Sequence, residues 1–313
     1  MPDPTSISDV EIHRWLRELT IPSSDVLLGI GSDCGVVRWR SRNVVIKTDP
    51  VIEGIHFERG FRDAGAIVRK ALGRVASDFA AAGAFPKFTI ASVVFPKGET
   101  RVFVKNLLRK IQLESQRYSA PLVGGHTGFT HGRELEIHAT MIGACYKNVI
   151  GRGGAKPGDV ILATGTFGGS RLGRHLRPEP RLTEMFTIAT RVSVHAAIDV
   201  SDGFSLDLAR LCEMSRVGAI VKGDAIPCSA AAKRLAKKRG QSPLFHALSD
   251  GEDYELLIAV SKRDAARALQ IAKQKGFLLN EVAELTSDRS LWLVNDGVRR
   301  PLQLRGFVQR SNS

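Results

Sequence analysis

The sequence predicts a two-domain protein of the α/β (α+β) class, with a mixed sheet and flanking helices in each domain. Its 313 residues are about twice the usual domain size. Strand-like and helix-like apolar patterns alternate along the chain, as in sheets covered by helices. The glycine- and proline-rich segment IGRGGAKPGD at 150–159 is typical of a connection between domains. We therefore predict domains at 1–148 and 149–313.

The first domain contains three apolar runs of strand length and two helical patterns. Strands are predicted at 43–48, 88–95 and 135–144. Val68, Leu72, Val75 and Phe79 recur at helical spacing and give one apolar face to a helix over 64–82. A second helix is predicted near 100–118.

The second domain repeats this alternation. Strands are predicted at 160–164, 196–200 and 255–260, and helices at 205–214, 229–239 and 262–275. No internal repeat interrupts the pattern. The alternation predicts a second sheet with its own helices.

Composition excludes several classes of protein. Apolar runs are far shorter than the roughly 20 residues of a membrane span, and residues 1–15 lack the pattern of a secretory signal. The cysteines have no C-x-x-C spacing, so we expect free thiols and a cytoplasmic protein. They are Cys34, Cys145, Cys212 and Cys228.

The net charge of +13 indicates either an anionic partner or simply a well-solvated surface. Phosphorylated metabolites and nucleic acid are both anions. With 6% aromatic residues and no recognisable nucleic-acid module, nucleic-acid binding is not expected.

Acidic residues stand at the ends of apolar strands or in glycine-rich turns. They are Asp33, Asp49, Asp78, Asp199, Asp202, Glu252 and Asp253. Mg²⁺ prefers carboxylate oxygens and uses one or two per ion together with substrate phosphates. Their joint occurrence predicts a magnesium site with several ions that holds a nucleotide.

Each of these residues also has a structural alternative. Asp78 could pair with Arg74 one helical turn earlier, Asp199 or Asp202 could cap the following helix, and Asp33 could stabilise a turn. The glycines of GTFGGS at 165–170 match neither dinucleotide nor P-loop spacing, so a phosphate-binding loop and an ordinary loop stay open.

Several short motifs, in their order and spacing, resemble the thiamine-monophosphate kinase family, within the superfamily that includes aminoimidazole ribonucleotide synthetase. The resemblance runs from about Gly29 to Phe307. The motifs include GIGSDC, KTDPVIEGIHF, KALGRVASDFAAAGAFP, LVGGHT, RGGAKPGD, ATGTFGG, HLRPEPR, AIDVSDGFSLDL and DGEDYELL.

The resemblance implies an ATP-dependent kinase that converts thiamine monophosphate to thiamine diphosphate, with Mg²⁺ and no general base, and a homodimer formed through the N-terminal half. It implies metal ligands at Asp33, Thr48, Asp49, Asp78, Asp199 and Asp202. It implies ATP contacts at Arg152, at Ser201, and at Gly125 and His126, which are expected in a loop. It implies substrate contacts at His56, Glu252 and Phe307.

The chain departs from the family pattern at several positions. Ser32 and His126 stand where aspartates are usual, and imidazole is a poor ligand for Mg²⁺. Lys47 stands where a small hydroxyl residue is common. Lys47, or a protonated His126, could contact phosphate directly and replace the positive charge of one metal ion. The segment after GTFGGS, at 169–175, is short. These departures leave two alternatives: a catalytically impaired relative that binds nucleotide or thiamine phosphates, and a kinase of the same superfamily acting on another small acceptor.

Overall fold

A computed structural model describes residues 24–29, 32–40 and 42–308. The segment considered for a secretory signal, and the first 23 residues of the predicted domain 1–148, lie outside this part of the chain. The described residues form two mixed sheets, one of six strands and one of seven.

The first sheet is built from the N-terminal half of the chain, with strand order β1-β2-β3-β6-β4-β5. Its strands are β1 (Val26–Leu28), β2 (Gly35–Trp39), β3 (Arg42–Ile52), β4 (Ala84–Pro96), β5 (Leu122–Thr130) and β6 (Glu136–Cys145). Neighbours pair antiparallel except β4 and β5, which are parallel. Strand β5 is therefore an edge strand, three strand positions away from β3.

In the described part of the chain, two helices pack on one face of this sheet, and the other face is partly exposed. They are α1 (Ala64–Ala81) and α2 (Arg101–Arg117). Along β6 every second residue from Ile137 to Gly143 is buried, and the residues between them are partly exposed. This alternation is the pattern of a sheet packed on one side only.

The second sheet has the order β13-β12-β9-β11-β7-β10-β8. Its strands are β7 (Val160–Thr164), β8 (Val194–Asp199), β9 (Gly218–Lys222), β10 (Leu256–Val260), β11 (Leu279–Thr286), β12 (Leu291–Asn295) and β13 (Val298–Pro301). The flanking helices are α3 (Leu182–Ala189), α4 (Phe204–Ser215), α5 (Ala230–Arg239), α6 (Pro243–Ser249) and α7 (Lys262–Lys275).

Helix α1 lies between the two halves of the molecule. Its N-terminus is capped by Asp63, whose carboxylate accepts the Ala66 N–H at 3.0 Å. Its middle packs on the first sheet, while Ala80 and Ala81 belong to an apolar cluster with Ile150 and Leu162 of the second half. The helix therefore fixes residues of the two halves against each other.

The predicted fold class is confirmed. Strand 160–164 and helix 262–275 are found with the predicted bounds, and the other predicted elements lie within a few residues of theirs. The boundary proposed at 148/149 lies in the connection between β6 and β7. Among the described residues, no helix has the length and apolar character that a membrane span requires.

Candidate active site

A cavity of about 410 Å³ opens where helix α1, strand β3 and the turns after β8 and before β10 meet. Nine predicted site residues line it: Asp49, His56, Asp78, Arg152, Asp199, Ser201, Asp202, Glu252 and Phe307. They come from segments far apart in the sequence. The fold thus brings most of the predicted site together.

Three buried acids form the base of the site. Asp33, Asp78 and Asp199 each offer a carboxylate oxygen within 4.8 Å of the others. They are 4%, 6% and 3% exposed, respectively. Three carboxylates this close, and this far from solvent, repel one another strongly unless cations or protons lie between them.

Burial and this repulsion together raise the pKa values of two of the acids. Burial, reinforced by the Asp33 carboxylate, raises the pKa of Asp199 to about 6. Burial also raises the pKa of Asp78 well above its ordinary value, although the Lys47 ammonium opposes the shift. The side chains of the protein therefore leave part of this negative charge uncompensated, as expected of a site for divalent cations.

Two of the three acids are held by a neighbour that fixes the direction of the carboxylate. Arg152 donates to Asp33 Oδ1 from Nε at 3.0 Å and from Nη2 at 2.6 Å. Ser77, on α1, donates its hydroxyl proton to Asp199 Oδ2 at 2.7 Å. Helix α1 and strand β8 are joined through this contact, which positions Asp78 and Asp199 together.

Strand β3 presents two charged residues to the same cavity. Lys47 and Asp49 alternate with Thr48, so both face α1. The Lys47 ammonium lies 3.1 Å from Asp78 Oδ2 and 3.7 Å from Asp49 Oδ1. Burial would raise the pKa of Asp49, but the Lys47 ammonium and Arg74 hold it below its ordinary value.

The turn after β8 carries Ser201 and Asp202. Asp207, in the first turn of α4, accepts the backbone N–H groups of Ser201, Asp202 and Gly203 at 3.1, 2.9 and 3.0 Å. The turn is therefore organised by Asp207, and neither Asp199 nor Asp202 caps α4, whose N-cap is Gly203. Arg210 bridges Asp202 and Asp207.

The opposite side of the cavity is formed by the segment before β10. Glu252 and Tyr254 both have left-handed backbones, with φ of 54° and 53°, a conformation that is uncommon outside glycine. Glu252 N–H donates to Ser201 O at 2.7 Å. Gly251 lies so close to this turn that a Cβ would come 2.8 Å from the Asp202 carbonyl oxygen. These contacts hold the turn after β8 and the segment before β10 in fixed positions relative to each other.

Cationic side chains surround this second region. The fully buried Lys70 pairs with Glu252. Arg74 Nη1 donates to Tyr254 Oη at 3.4 Å, while its buried Nε has no hydrogen-bond partner among the described residues. Arg171, from the short segment 169–175, also lines the cavity. This end of the cavity suits an anion.

His56 lies in the same region as a neutral imidazole. Its Nδ1 accepts the Ile52 N–H at 3.0 Å, so the ring proton is on Nε2. Burial, together with the positive charges of Arg74 and Lys70, lowers the pKa of His56 to about 4. At neutral pH the ring is therefore an uncharged donor.

Three predicted site residues are not brought to this cavity. Thr48 is turned to the other face of β3, where its hydroxyl donates to Ala139 O at 3.2 Å. Gly125 and His126 lie in strand β5, not in a loop as expected. The register pairs Pro50 with His138, His138 with Ser92 and Ser92 with His126, which puts His126 about 14 Å from β3 at normal strand spacing.

Two structural alternatives are also resolved. Asp78 makes its ion pair with Lys47, whereas Arg74 contacts Tyr254. The amides of Gly168 and Gly169 donate to the carboxylates of Asp253 and Asp250 at distances of 2.8 to 3.0 Å, so they are already engaged within the protein. The GTFGGS segment is therefore an ordinary loop.

Sequence reasoning did not place Arg171, Arg210 or Tyr254 in the site, and it considered Arg74 only as an ion-pair partner of Asp78. Arg74 had a usable signal, because it precedes Asp78 by four residues and must share its helix face. Arg171 and Tyr254 had none, since their positions depend on irregular backbone between the regular elements. Asp49 and Asp202 both line the cavity.

Comparison with known proteins places both halves of the chain in one family. Residues 31–145 match the AIR synthase related protein N-terminal domain, and residues 156–294 match the corresponding C-terminal domain.

Curated relatives match over nearly the full length. The chain is 36% identical to thiamine-monophosphate kinase of Rhodopirellula baltica over 286 residues, covering 89% of each chain. It is 32% identical to thiamine-monophosphate kinase of Salmonella typhimurium, covering 95% of this chain and 96% of the other.

A solved structure of AaThiL complexed with AMPPCP and TMP has a similar fold. The TM-score is 0.82 at 24% identity, and the match covers 96% of each chain. The likeness in fold extends over both sheets.

Proposed function

The chain belongs to the thiamine-monophosphate kinase family of AIR synthase related proteins, and on that premise we propose how its own residues transfer the γ-phosphoryl group of ATP to thiamine monophosphate. The observation that carries the proposal is the convergence of Asp33, Asp78 and Asp199, from both halves of the chain, within 4.8 Å of one another. Asp78 and Asp199 line the cavity, and Asp33 lies beside them. The products are ADP and thiamine diphosphate.

The acids fit Mg²⁺. Oxygen-only donors that are close together and short of compensating charge match its preference for carboxylates. We propose that Asp33, Asp49, Asp78 and Asp199 hold the metal, with Asp202 at the outer edge. When bound, Mg²⁺ neutralises the negative charge of the polyphosphate and of the incoming phosphate.

Alignment and charge are the main requirements of this reaction. A phosphate oxygen of thiamine monophosphate forms a bond to the γ-phosphorus while the bond to the bridging oxygen of ADP breaks. The nucleophile is already anionic, so no residue has to remove a proton. The obstacle is repulsion between two anions, and Arg74, Arg152 and Arg171 add fixed positive charge around the cavity.

The other end of the cavity suits the acceptor. We propose that His56 donates its Nε2–H to the acceptor, that Glu252 is held in position by Lys70, and that Phe307 packs against an aromatic ring of the substrate. Phe307 is fixed through its backbone N–H, which donates to Asp202 O at 2.9 Å. Ser201 and Arg152 are proposed to contact ATP.

One assay tests this assignment. Purified protein is incubated with ATP, Mg²⁺ and thiamine monophosphate, and thiamine diphosphate is measured by chromatography. Product formation supports the proposal. Ligand binding without product would indicate the impaired relative, and phosphorylation of a different small acceptor alone would indicate another kinase of the superfamily.

We also propose a homodimer that closes the open face of the first sheet. On this face Ile46 and Phe88 are 39% and 49% exposed. Ile142 lies between them in the register, and Ile90 follows Phe88 along β4 on the same face. A contiguous apolar face of this kind is typical of an interface. Gly125 and His126, on the adjacent edge strand, would then lie at or beside the interface.

The dimer is tested by light scattering coupled to size-exclusion chromatography. We expect the mass of two chains for the unmodified protein and a shift toward one chain for Ile46→Lys, because a charge on this face would be buried by the partner. Lys87→Glu, on the same strand as Phe88, is the charge-change control. A monomer at all concentrations would contradict the proposal.

A cytoplasmic location is proposed from the chemistry of the chain. All four cysteines are free thiols, as is usual in a reducing compartment, and ATP is the phosphoryl donor. Cell fractionation with an antibody to the chain tests it.

A further inference from the structure

Lys47 occupies a position in the site that its sequence pattern does not explain. Strands at an acidic metal site normally offer oxygen ligands, yet β3 directs an ammonium group into the cavity between two acids. The neighbouring hydroxyl of Thr48 faces the other side of the sheet. Strand β3 therefore places a cation, the Lys47 ammonium, next to Asp78.

The contacts of Lys47 leave it partly available. Its Nζ lies 3.1 Å from Asp78 Oδ2 and 3.7 Å from Asp49 Oδ1. An ammonium group has three N–H donors, so two acids leave one donor for an oxygen in the cavity. The side chain is 22% exposed, toward the cavity that it lines.

The charges around Lys47 show what its ammonium contributes. Asp33, Asp49, Asp78 and Asp199 carry four negative charges when ionised. Among the described residues, the cations in ion-pair contact with them are Lys47 and Arg152. Two negative charges are left, which one Mg²⁺ would balance. Without Lys47, three would be left.

We propose that Lys47 is a tethered cation of the phosphoryl-transfer site: its ammonium takes the place of one magnesium ion between Asp49 and Asp78, and its free N–H contacts the polyphosphate. The inference rests on the proposed function. It assigns to this chain a site with one divalent cation fewer than its acids alone would bind. Lys47 is then a catalytic residue, because it touches the reacting nucleotide.

A structural ion pair would behave differently. A lysine that only neutralises Asp78 would leave the number of bound metal ions unchanged when it is replaced, provided the fold is kept. A lysine that occupies a metal position must admit an ion when it is shortened to a hydroxyl residue. The number of bound ions therefore separates the two roles.

The test counts Mn²⁺ bound per chain by electron paramagnetic resonance, with AMPPCP present so that no turnover is needed. We expect Lys47→Thr to bind one Mn²⁺ more than the unmodified protein. The matched control Lys87→Thr, an exposed lysine on strand β4, should bind the same number as the unmodified protein. Equal counts for Lys47→Thr and the unmodified protein would overturn the proposal.

A second measurement does not depend on the folding of the variant. If Lys47→Thr does not fold, Mn²⁺ is located by anomalous scattering in crystals of the unmodified protein with AMPPCP. An ion between Asp49 and Asp78, at the position of the Lys47 ammonium, overturns the inference, and ions that contact Asp78 only on its Asp33 and Asp199 side support it.

The assay of thiamine diphosphate formation is run separately. A changed Mn²⁺ count in a protein that makes no thiamine diphosphate would refute the proposed reaction and leave the assignment of Lys47 intact.

Discussion

His56 illustrates how a single side chain is prepared for an anionic ligand. The Ile52 N–H fixes its tautomer, and burial with nearby Arg74 and Lys70 keeps it neutral. A neutral ring can donate from Nε2 without the cost of burying another charge among these cations. The position therefore favours a hydrogen bond to the acceptor over an ion pair with it.

The pKa of His56 also makes the stability of the ligand-free protein pH-dependent. Its pKa is lowered from 6.5 to about 4 in the folded state, so the unfolded chain binds more protons between these values. The contribution to stability is complete above pH 6.5 and is lost as the pH falls toward 4. Allowing for partial exposure, we expect a loss of roughly 2 kcal/mol.

Urea unfolding at pH 7 and pH 4.5 measures this effect. His56→Gln keeps an acceptor for Ile52 N–H and cannot titrate, so its stability should fall less over this range. His131→Gln, which replaces an exposed histidine, is the control. Identical pH dependence in His56→Gln and the unmodified protein would contradict the assignment.

At the scale of single residues, the sequence identified the acids and left out several of their partners. Asp33, Asp78 and Asp199 could be assigned to one site from the sequence, because the motifs that contain them resemble those of a known family. Thr48 was predicted beside Asp49, but strict alternation along a strand sends adjacent side chains to opposite faces. The Thr48 side chain therefore points away from the cavity, whereas Lys47 lines it.

At the scale of elements, the turn between β8 and α4 depends on one buried carboxylate. Asp207 accepts three backbone N–H groups and pairs with Arg210. Its side chain is 1% exposed. This one carboxylate therefore accepts the backbone N–H groups of the turn that presents Ser201 and Asp202.

We expect Asp207→Ala to lower the free energy of unfolding by about 3 kcal/mol, since several buried donors lose their partner. Chemical denaturation measures it. Asp264→Ala, which removes a carboxylate from the first turn of α7, should cost less than about 1 kcal/mol. A loss for Asp207→Ala no larger than for Asp264→Ala would show that the turn is organised by other contacts.

Elements with strong periodicity were predictable and irregular ones were not. Helix α1 and strand β7 carry clear apolar patterns, and their bounds were found almost unchanged. The sequence of strand β5, LVGGHTGFT, predicts a loop. An exposed edge strand has no buried face, so apolar and polar residues do not alternate along it. Its pairing with β4 depends on how the whole sheet assembles, which no local sequence pattern specifies.

At the scale of the whole molecule, helix α1 makes the site possible. It packs on the first sheet, and it contacts the second half through Ala80, Ala81 and the Ser77 to Asp199 hydrogen bond. Acids from both halves therefore share one cavity. Sequence order alone could not show this, because the motifs do not specify how the sheets are placed.

The net charge of +13 is explained only in part at this scale. Five cationic residues line the cavity: Lys47, Arg74, Arg152, Arg171 and Arg210. Others stand at helix C-termini, such as Lys237, Lys238 and Arg239 in the last turn of α5, where cations are favourable.

The central claim is that acids from the two halves of the chain bind the same metal. The most direct test is a double-mutant cycle on Mn²⁺ affinity with AMPPCP present, using Asp78→Asn, Asp199→Asn and the double variant. We predict a strong loss in each single variant and a combined loss well below the sum of the two, because ligands of one ion are coupled. Losses that add independently would contradict the account.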